Sequence, residues 1–212
     1  MTNFTNDDIE VLRPFGPTIA KVKMPQDLID KLNEYTESVL SDQNKQDELN
    51  YGNKLAGNVK QEFIIEKDVM KKIGWGKFLA EGVKEWVFKT NNRKITQFNI
   101  INSWIVRQFQ NEYNPSHWHG GHVSGVGYLK VPKALGEASQ NNKTMNHNGK
   151  LEMVHGSKAF LCKPTFRVTP RVGDFYFFPH YLMHAVYPFS QCDDERRSVS
   201  FNATVDQSLF NE

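Results

Sequence analysis

The stretch ITQFNIINSWIVRQF, residues 95–109, marks the point at which the chain changes from helical to strand patterns. β-Branched and aromatic residues are frequent in it, and such residues favour extended backbone. Short runs of the same kind follow between Gly, Pro, Asn and Asp residues, namely VSGVGYLKVP, KLEMVH, FRVTPRV, DFYFFP and RRSVSFNATV. The second half of the chain is therefore predicted to be mainly β-sheet, with the asparagine-rich residues 140–150 as a loop between two strands.

Before this stretch, two segments carry apolar residues at helical spacing. The first, residues 25–40, places five of them on one side: Leu28, Ile29, Leu32, Val39 and Leu40. The second runs from residue 68 to about residue 90 and repeats Val69, Ile73, Leu79, Val83 and Val87, although Gly74 and Gly76 weaken its first turns. Helices first and strands afterwards argue against a doubly wound parallel fold. We expect an α+β fold, an antiparallel sandwich or small barrel with two helices on its outside.

Composition excludes several classes of protein. The chain has 26 basic and 24 acidic residues, so its charge indicates neither a nucleic-acid partner nor an anionic membrane surface. Cys162 and Cys192 are too few for a disulfide scaffold and are expected to be reduced thiols. No apolar run reaches the roughly 18 residues of a membrane helix, and the polar start MTNFTNDDIE does not resemble a signal peptide. We expect a cytoplasmic protein of 212 residues, enough for one domain.

The sequence HWHGGH, residues 117–122, is the first candidate site. In an extended chain His117 and His119 point to the same face, while Trp118 turns to the other face to pack. The Gly-Gly pair lets the backbone bend, so His122 is a reserve ligand. Taken alone, the stretch fits a metal site and a hydrogen-bonding loop equally well.

The second candidate lies in VGDFYFFPHYLMHAVYPF, residues 172–189. A histidine after a strand, far in sequence from an H-x-H pair, is what a mononuclear metal site on a β-barrel needs, and His184 fits that description. Packing beside Met183 and Tyr187 is the alternative role for His184. His180 and His184 also have the spacing of a helical zinc pair, but Pro179 argues against a long helix there.

The third candidate is ERRSVSFNATV, residues 195–205. In a strand, one face carries only polar side chains: Arg196, Ser198, Ser200 and Asn202. An arginine followed two residues later by a serine, inside a barrel, suits a carboxylate, because the guanidinium fork binds both oxygens and the hydroxyl adds a hydrogen bond. A half-exposed edge strand would show the same alternation.

Several motifs in this half of the chain occur in a familiar order. H-x-H, S-G-V-x-Y-L, G-D-x-x-x-F-P, x-H-x-V-x-P and R-x-S-x-S-F-N together resemble the iron(II) and 2-oxoglutarate-dependent oxygenases over residues 97–205. The pattern is most similar to a group with H-x-H and SGV-type signatures from marine bacteria and phages. The resemblance implies a double-stranded β-helix, the jelly-roll or cupin-like fold, with two N-terminal supporting helices. Within one domain, residues 1–94 would be the support region and residues 95–206 the core.

The resemblance also implies roles for individual residues. His184 would be the distal metal ligand, and Arg196 with Ser198 would anchor the distal carboxylate of 2-oxoglutarate. Tyr128 or Asn102 is expected to touch the same co-substrate, with Trp104 beside the site. An aromatic wall, Phe175 to Phe178, would keep the site dry.

One departure from the wider superfamily concerns the metal. The common motif is H-x-D or H-x-E, whereas this chain has His117 and His119. Three solutions are open. His117, His119 and His184 hold the ion, which we favour; or His119 pairs with His122; or a carboxylate such as Glu152 or Asp174 comes from another strand.

The reaction implied is hydroxylation with oxidative decarboxylation of 2-oxoglutarate to succinate, using iron(II) and O2. The substrate would be an amino-acid side chain in a protein or a small metabolite, with the host cytoplasm as the location for a phage-encoded chain. Two alternatives remain: a three-histidine cupin-type dioxygenase that needs no 2-oxoglutarate, and a non-catalytic metal-binding β-sandwich.

Overall fold

The computed structural model describes residues 8–12, 16–138 and 144–209. The elements before residue 95 are β1 (Ile9–Leu12), β2 (Ile19–Lys23), α1 (Gln26–Leu40), α2 (Gln43–Leu49), β3 (Gln61–Ile64), α3 (Lys67–Ile73) and α4 (Trp75–Asn91). Those after it are β4 (Phe98–Gln108), β5 (Asn114–His117), β6 (Val123–Lys130), β7 (Leu151–Val154), β8 (Thr165–Val168), β9 (Asp174–Pro179), β10 (Met183–Val186) and β11 (Arg196–Val205). Short 3-10 helices cover Gly52–Lys54 and Gln207–Leu209.

The strands form two antiparallel sheets. The larger has the order β1-β2-β9-β6-β11-β4-β3, and the smaller has the order β5-β10-β7-β8. An apolar core shared by the two sheets includes Tyr128 and Phe178 from the larger sheet and Leu151 and Met153 from the smaller one. The predicted α+β class and double-stranded β-helix are confirmed.

Helices cover the outer face of the larger sheet. Side chains on α1 and α4 pack with Phe175, Phe177 and Phe201 in one buried cluster. Because side chains of a strand alternate between faces, Tyr176 and Phe178 of β9 point instead into the core between the sheets. The expected aromatic wall is therefore wrong as a continuous unit, since only alternate residues face the interior.

The predicted second helix is two helices, and this part of the prediction was wrong. Gly74 separates α3 from α4 with a φ of 83°, a left-handed conformation that glycine adopts without steric cost. The short helix α2 was also missed, and the Asp42 side chain caps its first backbone N–H groups. Within the described residues, the helical support thus consists of four helices rather than two.

The position of β11 in its sheet shows whether its polar face lines the interior of the protein or belongs to a half-exposed edge strand. It pairs with β4 on one side and β6 on the other, so it is a central strand and not an edge. Arg196, Ser198 and Asn202 are buried. The polar face of β11 therefore lines the interior.

Two further expectations concern less structured parts of the chain. The predicted loop 140–150 lies between β6 and β7, with residues 140–143 outside the described residues. None of the described helices is long and apolar enough to cross a membrane.

Candidate functional site

Three histidines meet at the smaller sheet. The Cα atoms of His117 on β5 and His184 on β10 are partners in the strand pairing, which puts both side chains on one face. His119 lies two residues beyond β5, where its backbone N–H donates to the carbonyl of His180 at 3.0 Å. One ring nitrogen from each of His117, His119 and His184 lies within 4.8 Å of the other two.

Backbone carbonyls orient two of the rings. The Nδ1 atom of His117 lies 2.6 Å from the carbonyl oxygen of Pro115, and that of His184 lies 2.8 Å from the carbonyl oxygen of Leu182. Each Nδ1 must carry the proton to donate to a carbonyl, so each Nε2 is left with a lone pair. The Nε2 of His184 is 3.2 Å from the Nε2 of His119.

Burial keeps these rings neutral. It lowers the pKa of His117, and it lowers the pKa of His119 and of His184 to about 3. The neighbouring histidines contribute to the last two shifts, because like charges repel. Neutral imidazoles with converging lone pairs are metal ligands, so the donor set fits a divalent first-row ion.

No carboxylate joins the cluster in the part of the chain that the structure describes. Glu152 pairs with Arg167 and accepts a hydrogen bond from the Tyr187 hydroxyl. Asp174 pairs with two lysines, Lys21 and Lys23. Both carboxylates weighed as ligands are therefore held elsewhere.

The remaining histidines of the two motifs have other contacts. The Nδ1 of His122 lies 3.1 Å from both the backbone nitrogen and the carbonyl oxygen of Val205, outside the cluster. The Nδ1 of His180 lies 2.9 Å from the carbonyl oxygen of His119. His180 thus helps to position the backbone of His119 and does not form a helical pair with His184.

The three histidines line a cavity that also contains Arg196, Ser198 and Ser200. Arg196 is buried, and its Nη1 donates to the carbonyl of Gly149 at 2.9 Å. Its Nε has no hydrogen-bond partner, and no carboxylate pairs with it among the described residues. Burial lowers the pKa of Arg196 from its usual value. The cavity therefore combines nitrogen ligands with an unpaired guanidinium.

Other residues expected at the site lie in different places. The Tyr128 ring lies 5.7 Å from the guanidinium carbon of Arg196, and its buried hydroxyl has no partner. Burial raises the pKa of that hydroxyl to about 12, so it remains a donor at neutral pH. Asn102 donates to the Tyr51 hydroxyl at 3.0 Å and does not line the cavity.

Two aromatic rings form walls of the cavity. Trp104 contacts the His119 ring with a centroid distance of 5.7 Å, and Phe178 contacts the His184 ring at 5.0 Å. Trp118 was expected to pack into the protein, but 65% of its surface is exposed. It lines the rim of a second cavity beside the histidines.

Sequence reasoning missed the acidic residue of this second cavity. Glu62 is 2% exposed and lies on β3, whose partner is β4. Burial and the nearby Glu112 raise the pKa of Glu62 to about 7. An acidic residue beside the apolar pair Phe63 and Ile64 was the signal available in the sequence.

Comparisons with known proteins agree with this arrangement. Residues 102–202 match the family model described as "Putative 2OG-Fe(II) oxygenase". No curated protein matches the chain in sequence.

Solved structures are similar in fold at low sequence identity. A Pseudomonas putida prolyl-4-hydroxylase has a TM-score of 0.57 and 16% identity, covering 87% of this chain and 91% of its own. A collagen prolyl hydroxylase of Paramecium Bursaria Chlorella virus-1, in complex with 2OG, has a TM-score of 0.53 and 14% identity. The match covers 88% of this chain and 96% of the hydroxylase chain. HygX of Streptomyces hygroscopicus, with nickel, 2-oxoglutarate and hygromycin B bound, has a TM-score of 0.55 and 12% identity. The match covers 88% of this chain and 82% of the HygX chain.

Proposed function

We propose that the chain, whose residues 102–202 match a 2OG-Fe(II) oxygenase family model, holds iron(II) with His117, His119 and His184. Arg196 and Ser198 bind a carboxylate of 2-oxoglutarate in the same cavity. Bound iron(II) supplies the redox chemistry by which O2 converts 2-oxoglutarate into succinate and carbon dioxide and hydroxylates a C–H bond of the substrate.

The observation that carries the proposal is the unpaired Arg196 in the cavity of the three histidines. A buried guanidinium without a counter-charge is costly, and a carboxylate removes that cost with paired hydrogen bonds. By contrast, Arg197 of the same strand is already paired with Glu37 and Glu195. Arg196 is thus the cation of this strand that an anionic co-substrate fits.

Neighbouring side chains complete the binding of the carboxylate. The hydroxyls of Ser198 and Ser200 line the same cavity. The Tyr128 hydroxyl has no partner in the protein, and the Tyr128 ring lies 5.7 Å from the guanidinium carbon of Arg196, so this hydroxyl is a candidate donor to the same anion. Each of these neutral donors adds a hydrogen bond without adding a second buried charge.

The histidine ligands have a consequence for co-substrate binding. Three neutral imidazoles leave the metal site one unit more positive than two imidazoles and a carboxylate would. That extra positive charge attracts a dianion such as 2-oxoglutarate. Trp104 and Phe178 line the cavity and exclude water from it, which strengthens these electrostatic interactions.

Two other functions are compatible with a three-histidine metal site. A dioxygenase that needs no 2-oxoglutarate, or a non-catalytic binding module, leaves the buried Arg196 without a counter-charge, so Arg196 argues against both. The substrate is an amino-acid side chain in a protein or a small metabolite. Similar structures include prolyl hydroxylases and a complex with hygromycin B, so the fold itself is compatible with either class.

The test replaces one proposed ligand and one histidine outside the cluster. We expect H184A to lose Mn(II) binding, measured by calorimetry, and to lose O2-dependent formation of succinate from 2-oxoglutarate. H122A is the control, because the His122 ring contacts the backbone of Val205 and is not part of the three-histidine cluster. It should keep both properties.

Unchanged succinate formation by H184A would contradict the ligand assignment. Loss of metal binding by H122A with retention by H119A would instead support His122 as the ligand. Turnover of wild-type protein with O2 in the absence of 2-oxoglutarate would favour the cupin-type reaction.

A further inference from the structure

A second cavity, here called the outer cavity, adjoins the cavity of the three histidines. It shares Trp104, Asn114, His117 and His119 with the inner one. Its other side is formed by Glu62, Trp118 and the segment 54–57. Because Lys54 and Trp118 are exposed, this cavity is the side of the site that faces solvent.

Glu62 is an unusual residue for such a cavity. It is 2% exposed, and its Oε2 is buried without a hydrogen-bond partner in the protein. Lone buried acceptors are rare because each costs free energy until a donor reaches it. Asn114 adds a second acceptor of this kind, since its Oδ1 is also buried without a partner.

Small residues leave these acceptors free of protein side chains. A Cβ atom added to Gly52 would lie 3.5 Å from Oε2 of Glu62, and one added to Gly57 would lie 2.2 Å from Oδ1 of Asn114. A side chain at position 57 would displace the Asn114 oxygen, whereas one at position 52 would pack in ordinary contact against the Glu62 oxygen. The protein thus keeps two acceptors at the outer cavity and provides no donor for them.

We propose that the substrate of the oxygenase presents an ammonium or guanidinium group to Glu62 in the outer cavity, while its reacting C–H bond lies beside the three histidines. This inference rests on the proposed function and adds the chemical class of the substrate, a cationic amine or guanidine. Cationic groups carry several N–H donors, which matches two acceptors that lack any.

The charges and rings around the cavity agree with a cation. The pKa of Glu62 is raised to about 7 by burial and by Glu112, so an arriving cation stabilises the ionised carboxyl. Trp104 and Trp118 offer aromatic faces, which attract cations. The two charges of iron(II) and those of 2-oxoglutarate cancel, which leaves the single positive charge of Arg196, and Arg196 lines the inner cavity and not the outer one.

Among the described residues at the outer cavity, Lys54 is the one group whose charge would favour an anionic ligand over a cationic one. It lines the outer cavity, and its Nζ lies 5.4 Å from the centre of the Tyr51 ring. Its side chain is exposed to solvent, which screens its charge, whereas Glu62 is buried. Glu62 therefore has the stronger influence on a ligand inside the cavity, and an anionic probe tests the role of Lys54.

The test is a charge series of equal chain length: n-butylammonium, n-butanol and n-butyrate. Each is titrated by calorimetry, without O2, at pH 8, into protein loaded with Fe(II) and 2-oxoglutarate. We expect butylammonium to bind about tenfold more tightly than butanol, the difference that a charge-assisted hydrogen bond typically makes. Butyrate should bind most weakly.

Two variants connect this preference to Glu62. E62Q keeps the shape and removes the charge, so the preference for butylammonium over butanol should fall to less than twofold. E66Q is the matched control, because Glu66 is an exposed acid just after β3 and outside the cavity. It should keep the preference of the wild-type protein.

Equal binding of butylammonium and butanol to the wild-type protein would overturn the inference, as would a preference that survives in E62Q. Tightest binding of butyrate would also overturn it and would assign selectivity to Lys54. The wild-type series is decisive even if E62Q does not fold. Binding of Fe(II) and 2-oxoglutarate is measured first, so its failure would count against the proposed function and not against the charge preference, which is then tested on the unloaded protein.

Discussion

Arg196 is the residue on which the assignment of the co-substrate depends. It is buried in the cavity of the histidines, and one backbone carbonyl is the partner seen for its guanidinium. A second arginine next to it in sequence faces the opposite side of β11 and is held by α1 through Glu37. Because adjacent side chains of a strand point to opposite faces, Arg196 reaches the cavity whereas Arg197 pairs with Glu37 on the other side.

We predict that replacing Arg196 weakens the binding of 2-oxoglutarate. R196A should raise the dissociation constant for 2-oxoglutarate by about 100-fold, because two charge-assisted hydrogen bonds are lost. R196K should have an intermediate effect, since lysine keeps the charge and loses the planar fork. Calorimetry with Mn(II)-loaded protein measures both, and Mn(II) affinity itself should stay within a few-fold of wild type.

Unchanged 2-oxoglutarate affinity in R196A would show that the co-substrate binds elsewhere. The same result with a large loss of Mn(II) affinity would indicate that Arg196 supports the fold of the metal site.

The close approach of helix α4 to the larger sheet depends on one small residue, Gly82. Gly82 is buried on α4, where a Cβ atom would lie 2.5 Å from Cζ of Phe177 on β9. Such a contact is shorter than packing allows, so glycine is needed for the helix to approach the sheet. This approach places α4 against the outer face of the strand whose inner face carries Phe178.

We therefore predict opposite effects for two glycines of α4. G82A should lower the free energy of unfolding by about 1–3 kcal/mol, because overpacking outweighs the better helix propensity of alanine. G76A should be neutral or raise it by about 0.5 kcal/mol, since its Cβ would meet only Ile100 at an ordinary 3.6 Å. Urea denaturation of the two variants measures both values. A stabilised G82A would mean that Phe177 moves freely and that the packing of α4 is looser than described.

For the whole molecule, the N-terminal region is more than a support. Strands β1, β2 and β3 lie in the same seven-stranded sheet as the strands of the predicted core. β3 brings Glu62 next to the histidines, although 55 positions separate it from His117 (117 − 62). The division into a support region and a core at residues 94 and 95 stays a prediction.

Ligand binding should be visible as a change in the stability of the whole protein. Ligands that bind the folded state stabilise it by mass action, by about 2.7 kcal/mol at 100 times the dissociation constant. For a protein of this size this raises the melting temperature by roughly 5–10 °C. We expect this shift with Mn(II) and 2-oxoglutarate together, and a smaller one with Mn(II) alone.

H119A is the control for this measurement and should show neither shift. Absence of any shift in the wild-type protein would count against both the metal site and the 2-oxoglutarate site, and would favour a β-sandwich without catalytic activity.

The sequence by itself determined the features that depend on neighbours along the chain. The H-x-H spacing, the polar face of residues 196–202 and the amphipathic helix α1 follow from the local periods of strands and helices, and the structure contains all three arrangements. The order of the motifs was sufficient to indicate the oxygenase superfamily and the double-stranded β-helix.

Only the tertiary structure decided what meets across the sheets. The pairing of β5 with β10 brings His184 to His117, and the contact of β3 with β4 brings Glu62 to the same place. The break at Gly74, the backbone contacts of His122 and the separation of Asn102 from the cavity were equally beyond local reasoning. The physical reason is that strand register and long-range contacts depend on the burial summed over many residues, which no single stretch of sequence contains.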